Sequence, residues 1–221
     1  MNQKDEVYKM GEEITKCEWQ CDGMCKDKAN GILPRGLYLE KRSGNNPIII
    51  LGLNPGSADD KEKAYFKEFG EEYYHKEKYF FERYLNYPFY KRSREFADAI
   101  GYDGDILWTE LVKCESINKR EIPLIAMRNC INRFLIREIA LMPDAPIIAL
   151  GNEAFQFCSL AIPKRFIIGV PHPTGSFGAQ LPRLTKQILS NRDYFLKIIS
   201  ENRDAYGNPK AIKLSPKSVE K

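Results

Sequence analysis

Histidine is nearly absent from this 221-residue chain: there are two, His75 and His172. That scarcity excludes a histidine-rich metal centre, so imidazole chemistry falls on one of these two positions. Long apolar runs are missing as well; none approaches the ~20 residues a bilayer-crossing helix needs. Charge of one sign is weak, with a net of only +4, which is compatible with a polyanionic partner without requiring one. No internal repeat or low-complexity segment interrupts the chain. The N-terminal MNQKDEVYKMGEEITK is polar and has no apolar leader, so a cytoplasmic protein with no membrane partner is expected, most simply a monomer. Thiols stay reduced in that compartment. The six cysteines, Cys17, Cys21, Cys25, Cys114, Cys130 and Cys158, are therefore read as metal or cluster ligands or as buried free thiols rather than disulfides.

What is present is a core. A hydrophobic content of 43% is enough for one domain, expected over residues 1–203, with a polar, flexible tail over 204–221. Short β-branched runs at 48–53, 105–112, 146–151 and 165–170 read as strands. Between them lie helical segments at 60–83, 91–100 and 122–141, then EAFQFCSLA and a last helix over about 180–203. In the helix at 122–141, Ile125, Cys130, Phe134 and Ile139 mark the apolar side. Strands alternating with helices predict an α/β fold with a central, mostly parallel sheet. Ligands of such sheets sit beyond the carboxyl ends of the strands, and three of these four ends carry unusual polar residues: Asn54, Glu110 and His172.

Three motifs bear chemistry. In GLNPG, Gly52 and Gly56 allow unusual backbone geometry and Pro55 fixes φ, so Asn54 is held stiffly at the sheet edge. Its amide can orient a water or grip a polar ligand, although the same residues also make an ordinary strand-to-helix turn with asparagine as the cap. In PHPTG, His172 stands between prolines and is a candidate for stabilising developing negative charge; a structural turn histidine is the plainer alternative. His75, in EEYYHKEKYF, reads as a solvated helix residue. The run CEWQCDGMC together with Cys114 and Cys130 offers thiolates suited to an iron–sulfur cluster or to zinc, in a spacing that matches neither a zinc finger nor a ferredoxin. Cys158, in an apolar helix, reads as a buried thiol.

CDGMC, GLNPG, Pro88-Phe89, TELVKC, Cys130 in RNCINRFL, IIALG and HPTG occur in an order that resembles the uracil-DNA glycosylase superfamily, in particular its iron–sulfur branch, over roughly residues 17–200. GLNPG itself is similar to the turn of the thymine- and mismatch-type members. The resemblance implies a three-layer α/β/α sandwich around a four-stranded parallel sheet. It implies cleavage of the bond between a damaged base and deoxyribose, after the nucleotide has been turned out of the helix. Asn54 would position the attacking water and His172 would stabilise the leaving base. Phe89 would stack on that base, Glu110 would face its edge, and backbone groups at Gly52, Leu53 and Gly56 would add hydrogen bonds. The loop Thr174, Gly175, Ser176 and Phe177 matches the segment that enters the minor groove, with Phe177 as an apolar wedge or else tucked into the core. DNA carrying a lesion, single- or double-stranded, is the implied partner, and a 4Fe-4S cluster the implied cofactor, with zinc as the alternative occupant.

The chain departs from that pattern at three places. Glu110 replaces an asparagine; an ionised glutamate can only accept hydrogen bonds and would repel a ring carbonyl unless it is protonated or turned away, which puts uracil specificity in question. Residues 57–87 form a longer excursion than the pattern has, expected to pack on the sheet or else to cover the pocket or touch nucleic acid. The N-terminal cysteines are three rather than a pair. Cys21, Cys25, Cys114 and Cys130 are the expected ligands, since Cys21 and Cys25 lie nearest the first strand, with Cys17 as a possible replacement. A glycosylase-like protein that binds nucleic acid or a nucleotide without cutting is the main alternative function, and a cluster- or zinc-stabilised α/β protein of unrelated chemistry the third.

Overall fold

Asn2 starts the first helix: its side-chain oxygen accepts the Asp5 N–H at 2.9 Å and caps α1 (Gln3–Thr15), which relieves one of the unpaired donors of a helix start. The structure, a computed structural model, describes residues 2–117, 121–175, 178–204, 208 and 210–216. After α1 come a two-residue strand β1 (Met24–Cys25), then β2 (Leu37–Glu40) and β3 (Ile48–Gly52). Next come α2 (Asp60–Phe69), α3 (Tyr73–Glu82), α4 (Pro88–Ala99), β4 (Ile106–Glu110) and β5 (Glu115–Ser116). One continuous helical rod follows, made of α5 (Leu124–Cys130), a π-helical stretch at Ile131–Leu135 and α6 (Ile136–Ala140). The chain continues through β6 (Ile147–Leu150), α7 (Asn152–Ala161), β7 (Ile167–Val170), α8 (Gln180–Ser190), α9 (Arg192–Glu201) and β8 (Ile212–Lys213).

The main sheet runs β2-β4-β3-β6-β7-β8. Its centre, β4-β3-β6-β7, is parallel throughout and comprises the four strands read from the sequence. All five residues of β3 are buried, as expected where helices cover both faces of a parallel sheet and erase the alternation of polar and apolar positions. The expected four-stranded sheet is widened at each edge. β2 joins antiparallel to β4 and β8 joins parallel to β7. β8 and the buried Leu214 lie inside the segment expected to be a flexible tail. Two residues among polar neighbours carry too little pattern to reveal such a strand.

Two expected helices are divided. Gly70 takes φ +82° and ends α2 before α3 begins, and Asn191 separates α8 from α9. In α5, Ile125 is 54% exposed, whereas Ala126, Cys130 and Phe134, an i, i+4 series, are buried. The π stretch adds one residue to the turn, so Ile139, one position beyond the usual step from Phe134, returns to the buried side. Ile125 is out of phase with that series.

Beneath the end of β4 lies a charged network closed to solvent. Lys113 Nζ is 2.7 Å from Glu138 Oε2, both side chains have 0% exposure, and Nζ also donates to Thr109 Oγ1 at 2.8 Å and to the Glu110 carbonyl at 2.6 Å. Thr109 Oγ1 donates to the same carboxylate. Removing one partner strands the other charge in the core. Glu138→Ala is therefore expected to cost about 3–5 kcal/mol of unfolding free energy in urea titration, and the double change Lys113→Met with Glu138→Leu to cost far less. Equal losses for the single and double variants would overturn this account.

Candidate active site

Three parallel strand ends and one helix start bring four side chains to one cleft. Asn54 follows β3, Glu110 closes β4, His172 follows β7, and Phe89 sits in the first turn of α4 beside Pro88. All four line a cavity of about 730 Å³. Leu53, Gly56 and Thr174 line it too, whereas Gly52 lies behind Glu110 and lines only a void of about 10 Å³. Gly175 takes φ +71° and is not part of the wall; Ser176 and Phe177 lie outside the described residues.

Asn54 is oriented by its own amide. Nδ2 donates to the Pro55 carbonyl at 3.1 Å and the Cys114 carbonyl at 3.4 Å, and Oδ1 has no protein partner among the described residues. It does not cap α2: Asp59 does, accepting the Glu62 N–H at 2.8 Å. The turn is fastened from both sides. Val112 N–H donates to the Leu53 carbonyl at 3.0 Å, Ala58 N–H to the Glu115 carboxylate at 2.6 Å, and Arg35 Nη2 to the Gly56 carbonyl. Arg35 is itself held between Glu62 at 2.9 Å and Glu115 at 3.4 Å, all three buried.

His172 faces Phe89, with ring centroids 5.5 Å apart and planes tilted by 53°. Thr174 supplies three contacts to Nδ1, its carbonyl at 3.1 Å, its N–H at 3.3 Å and its hydroxyl at 3.4 Å. In the tautomer in which Nδ1 accepts from that N–H, Nε2 carries the hydrogen and can donate into the cleft. Gly151, at φ +92°, brings the end of β6 against the imidazole: a Cβ there would stand 3.6 Å from His172 Cδ2. Arg92, on the same helix as Phe89, donates to the carbonyls of Pro173 at 2.7 Å and Gly178 at 3.0 Å. Helix α4 therefore carries one ring of the site and ties down the loop that carries the other. Arg92→Ala is expected to raise amide hydrogen exchange at Thr174 by about tenfold or more, since a charged donor's hydrogen bonds contribute roughly 1.5–3 kcal/mol; unchanged exchange would remove Arg92 from this role.

Glu110 is 7% exposed and its Oε2 has no hydrogen-bond partner among the described residues. Two glycines clear the space for it. A Cβ at Gly52 would stand 2.0 Å from Oε2, and one at Gly36, where φ is +104°, 2.6 Å from Glu110 Cγ. Burial pushes the Glu110 carboxyl up to about 8, with Lys113 and Arg35 pulling it down and Glu138 pushing it further up.

The excursion at 57–87 both packs on the sheet and covers the pocket. Phe80 stacks on Tyr38 of β2 at 4.0 Å, and Phe66 and Tyr79 form a small cluster with Leu33. Asp59, Glu62, Tyr84 and Tyr87 form one wall of the cleft. His75, expected to be solvated, is half-buried on α3 and stacks on Phe69 at 5.4 Å. Arg35, Gly36 and Arg92 were not foreseen as site residues, because each acts through the tertiary fold and none stands in a recognisable motif.

The cysteines sort into a group and two outsiders. Cys114 and Cys130 are buried, and each has Cys17 and Cys21 as electrostatic neighbours, as well as Cys130 for Cys114. Burial pushes the Cys114 thiol up to about 12, and Cys130 accepts a hydrogen bond from the Lys113 N–H. Cys25, expected as a ligand, lies elsewhere. It pairs with Glu115 across β1 and β5, and cross-strand partners share a face. The neighbours of Cys25 are Glu115, Asp27 and Lys63. Among the described residues, no three His, Cys, Asp or Glu side chains are arranged so as to hold a metal ion. The four thiols are thus neighbours that share a donor chemistry, not a closed cage. Cys158 is fully buried in α7, as a free thiol.

An amide, an imidazole, an acid and an aromatic ring around a cleft at the carboxyl edge of the parallel strands place the chain in the class of three-layer α/β/α domains whose polar groups gather where such sheets take ligands. The family model of the uracil DNA glycosylase superfamily matches residues 41–200, and the chain belongs to that superfamily. The matched segment includes Asn54, Phe89, Glu110, Cys114, Cys130 and His172, and excludes Cys17, Cys21 and Cys25. No curated protein matches the chain. No helix among the described residues is long and apolar enough to cross a membrane.

Proposed function

We propose that this protein hydrolyses the N-glycosidic bond of a deaminated base turned out of DNA, as a step of base-excision repair. The observation that carries the reading is that Asn54, Phe89, Glu110 and His172, far apart in sequence, line one cleft. Phe89 offers its face to the extruded base. Asn54 Oδ1 accepts a hydrogen bond from water and aims its oxygen at the anomeric carbon. As the bond breaks, its electron pair leaves with the base and the sugar gains oxocarbenium character. His172 Nε2–H donates to the developing base anion. Water then completes the bond to the sugar and its proton is released, while the base takes up a proton. The loop at Thr174 and Gly175 faces the DNA.

The cofactor reading is a 4Fe-4S cluster held by Cys17, Cys21, Cys114 and Cys130. The four neighbouring thiols and the Lys113 N–H donated to Cys130 support it. Such a cluster would act as a staple between the N-terminal segment and the core rather than as an electron carrier.

The test is single-turnover cleavage of oligonucleotides carrying one uracil, hypoxanthine, xanthine or thymine mismatch. Alkali-labile abasic sites that appear with the wild type and are lost with Asn54→Ala and His172→Ala support the reading. Tight lesion binding without cleavage on every substrate would replace it with a binding protein, the outcome favoured by the lack of a carboxylate at position 54.

A further inference from the structure

Glu110 Oε2 has a prepared place and, among the described residues, no hydrogen-bond partner. The Glu110 side chain lies against Gly52 and Gly36, where any side chain would collide with it, and it opens onto the cleft that Phe89 and His172 line. The void on its other side, about 10 Å³, is at the lower limit for a single water. The cations nearby are already engaged. Lys113 is paired with Glu138 and donates to the Glu110 backbone carbonyl rather than to its carboxyl. Arg35 is paired with Glu62 and Glu115. The other titratable groups that act on it electrostatically are the phenols of Tyr38 and Tyr90 and the carboxyl of Glu138. A carboxylate here would be a buried charge without a counter-ion.

We propose that Glu110 reads the base as an uncharged acid, its O–H donating to a ring carbonyl while its C=O accepts from the adjacent ring N–H. In that form the side chain presents the same donor–acceptor pair as a carboxamide, which an ionised carboxylate cannot do. The base class that fits has N–H beside C=O on its exposed edge, as in uracil, hypoxanthine and xanthine. The assignment rests on the glycosylase reading and adds the residue, and the charge state, that set its specificity. It also removes the repulsion that a glutamate at this position suggests. Burial holds the carboxyl up at about 8, so the acid form prevails at neutral pH and is lost as pH rises beyond that value.

The experiment measures single-turnover excision of uracil and hypoxanthine by the full-length protein between pH 6 and 9. Wild-type excision is expected to fall about tenfold per pH unit above the Glu110 titration. Glu110→Gln, which keeps donor and acceptor but cannot ionise, is expected to stay within about tenfold of the wild-type rate at pH 7 and to lose that alkaline fall. Glu110→Leu is expected to lose at least about 100-fold at every pH, because the base edge is left unpaired. Infrared spectroscopy adds a readout independent of activity: the carbonyl band of a protonated carboxylic acid, present at pH 7 and missing in Glu110→Gln. An unchanged alkaline fall in Glu110→Gln, or no such band in the wild type, overturns the assignment. Should the wild type excise none of these bases at any pH, the glycosylase reading falls. Glu110 is then decided by binding of the same duplexes, where an alkaline loss of affinity that Glu110→Gln abolishes supports it and a pH-independent affinity overturns it.

Discussion

Asn54→Ala is expected to lower single-turnover excision by about 10² to 10⁴-fold, with the melting temperature close to wild type. The side chain is half-buried and fixed at the end of a fully buried strand, so its loss removes little packing but, on the proposed mechanism, abolishes the acceptor for the water. Asn54→Asp is not a repair. Two carbonyls, Pro55 at 3.1 Å and Cys114 at 3.4 Å, take hydrogen bonds from Nδ2, and a carboxylate oxygen would meet both with repulsion. That variant is expected to stay below wild type at pH 7, even though a carboxylate is intrinsically the stronger base. His172→Ala is expected to lose about 10² to 10³-fold, the range found when one donor to a developing anion is removed. Wild-type rates in both alanine variants would show that this cleft is not where the bond breaks.

The second large effect concerns the cysteines. Iron and sulfide are expected in stoichiometric amount in the wild type and in Cys25→Ser, and are expected to be lost in Cys17→Ser, Cys21→Ser, Cys114→Ser and Cys130→Ser. Ligation of a thiolate metal site is typically worth on the order of 10 kcal/mol. The N-terminal segment from Cys17 to Cys25 is held by the β1–β5 pair, by Lys26 Nζ on the Cys17 carbonyl at 3.0 Å and by Arg133 over the Trp19 ring at 4.6 Å, and on loss of the ligands it is expected to open first, as protease cleavage between α1 and β2. The effect should reach the catalytic turn, because the Cys114 carbonyl accepts from Asn54; loss of the cluster is expected to slow excision as well. Retained iron in Cys17→Ser with loss in Cys25→Ser would restore the arrangement suggested by sequence proximity, and a colourless protein containing zinc would replace the cluster.

The choice between Cys17 and Cys25 illustrates where sequence reading stops. Cys25 lies closer along the chain to the first strand, and closeness along a chain is a fair guide to contact when nothing else intervenes. What intervenes is a two-residue strand pair. Cys25 pairs with Glu115 across β1 and β5, and Glu115, Asp27 and Lys63 are its electrostatic neighbours. Ile125 was misplaced for a related reason: the helical phase that follows Cys130 is set by a π stretch, and no residue in the sequence announces one.

The four parallel strands and the turns that end them are legible in the chain alone, as are Asn54 and His172 as the polar residues at two of those ends. Strand runs, glycine–proline turns and a histidine between prolines act through local sterics and burial, which neighbouring residues largely dictate. Only the tertiary structure decided which groups meet. It put Gly36 and Gly52 beside Glu110, tied the His172 loop to Arg92, and gave Cys114 and Cys130 the neighbours Cys17 and Cys21. Such meetings follow from strand order and register across the sheet, which couple segments distant in sequence and leave no mark in any single stretch of it.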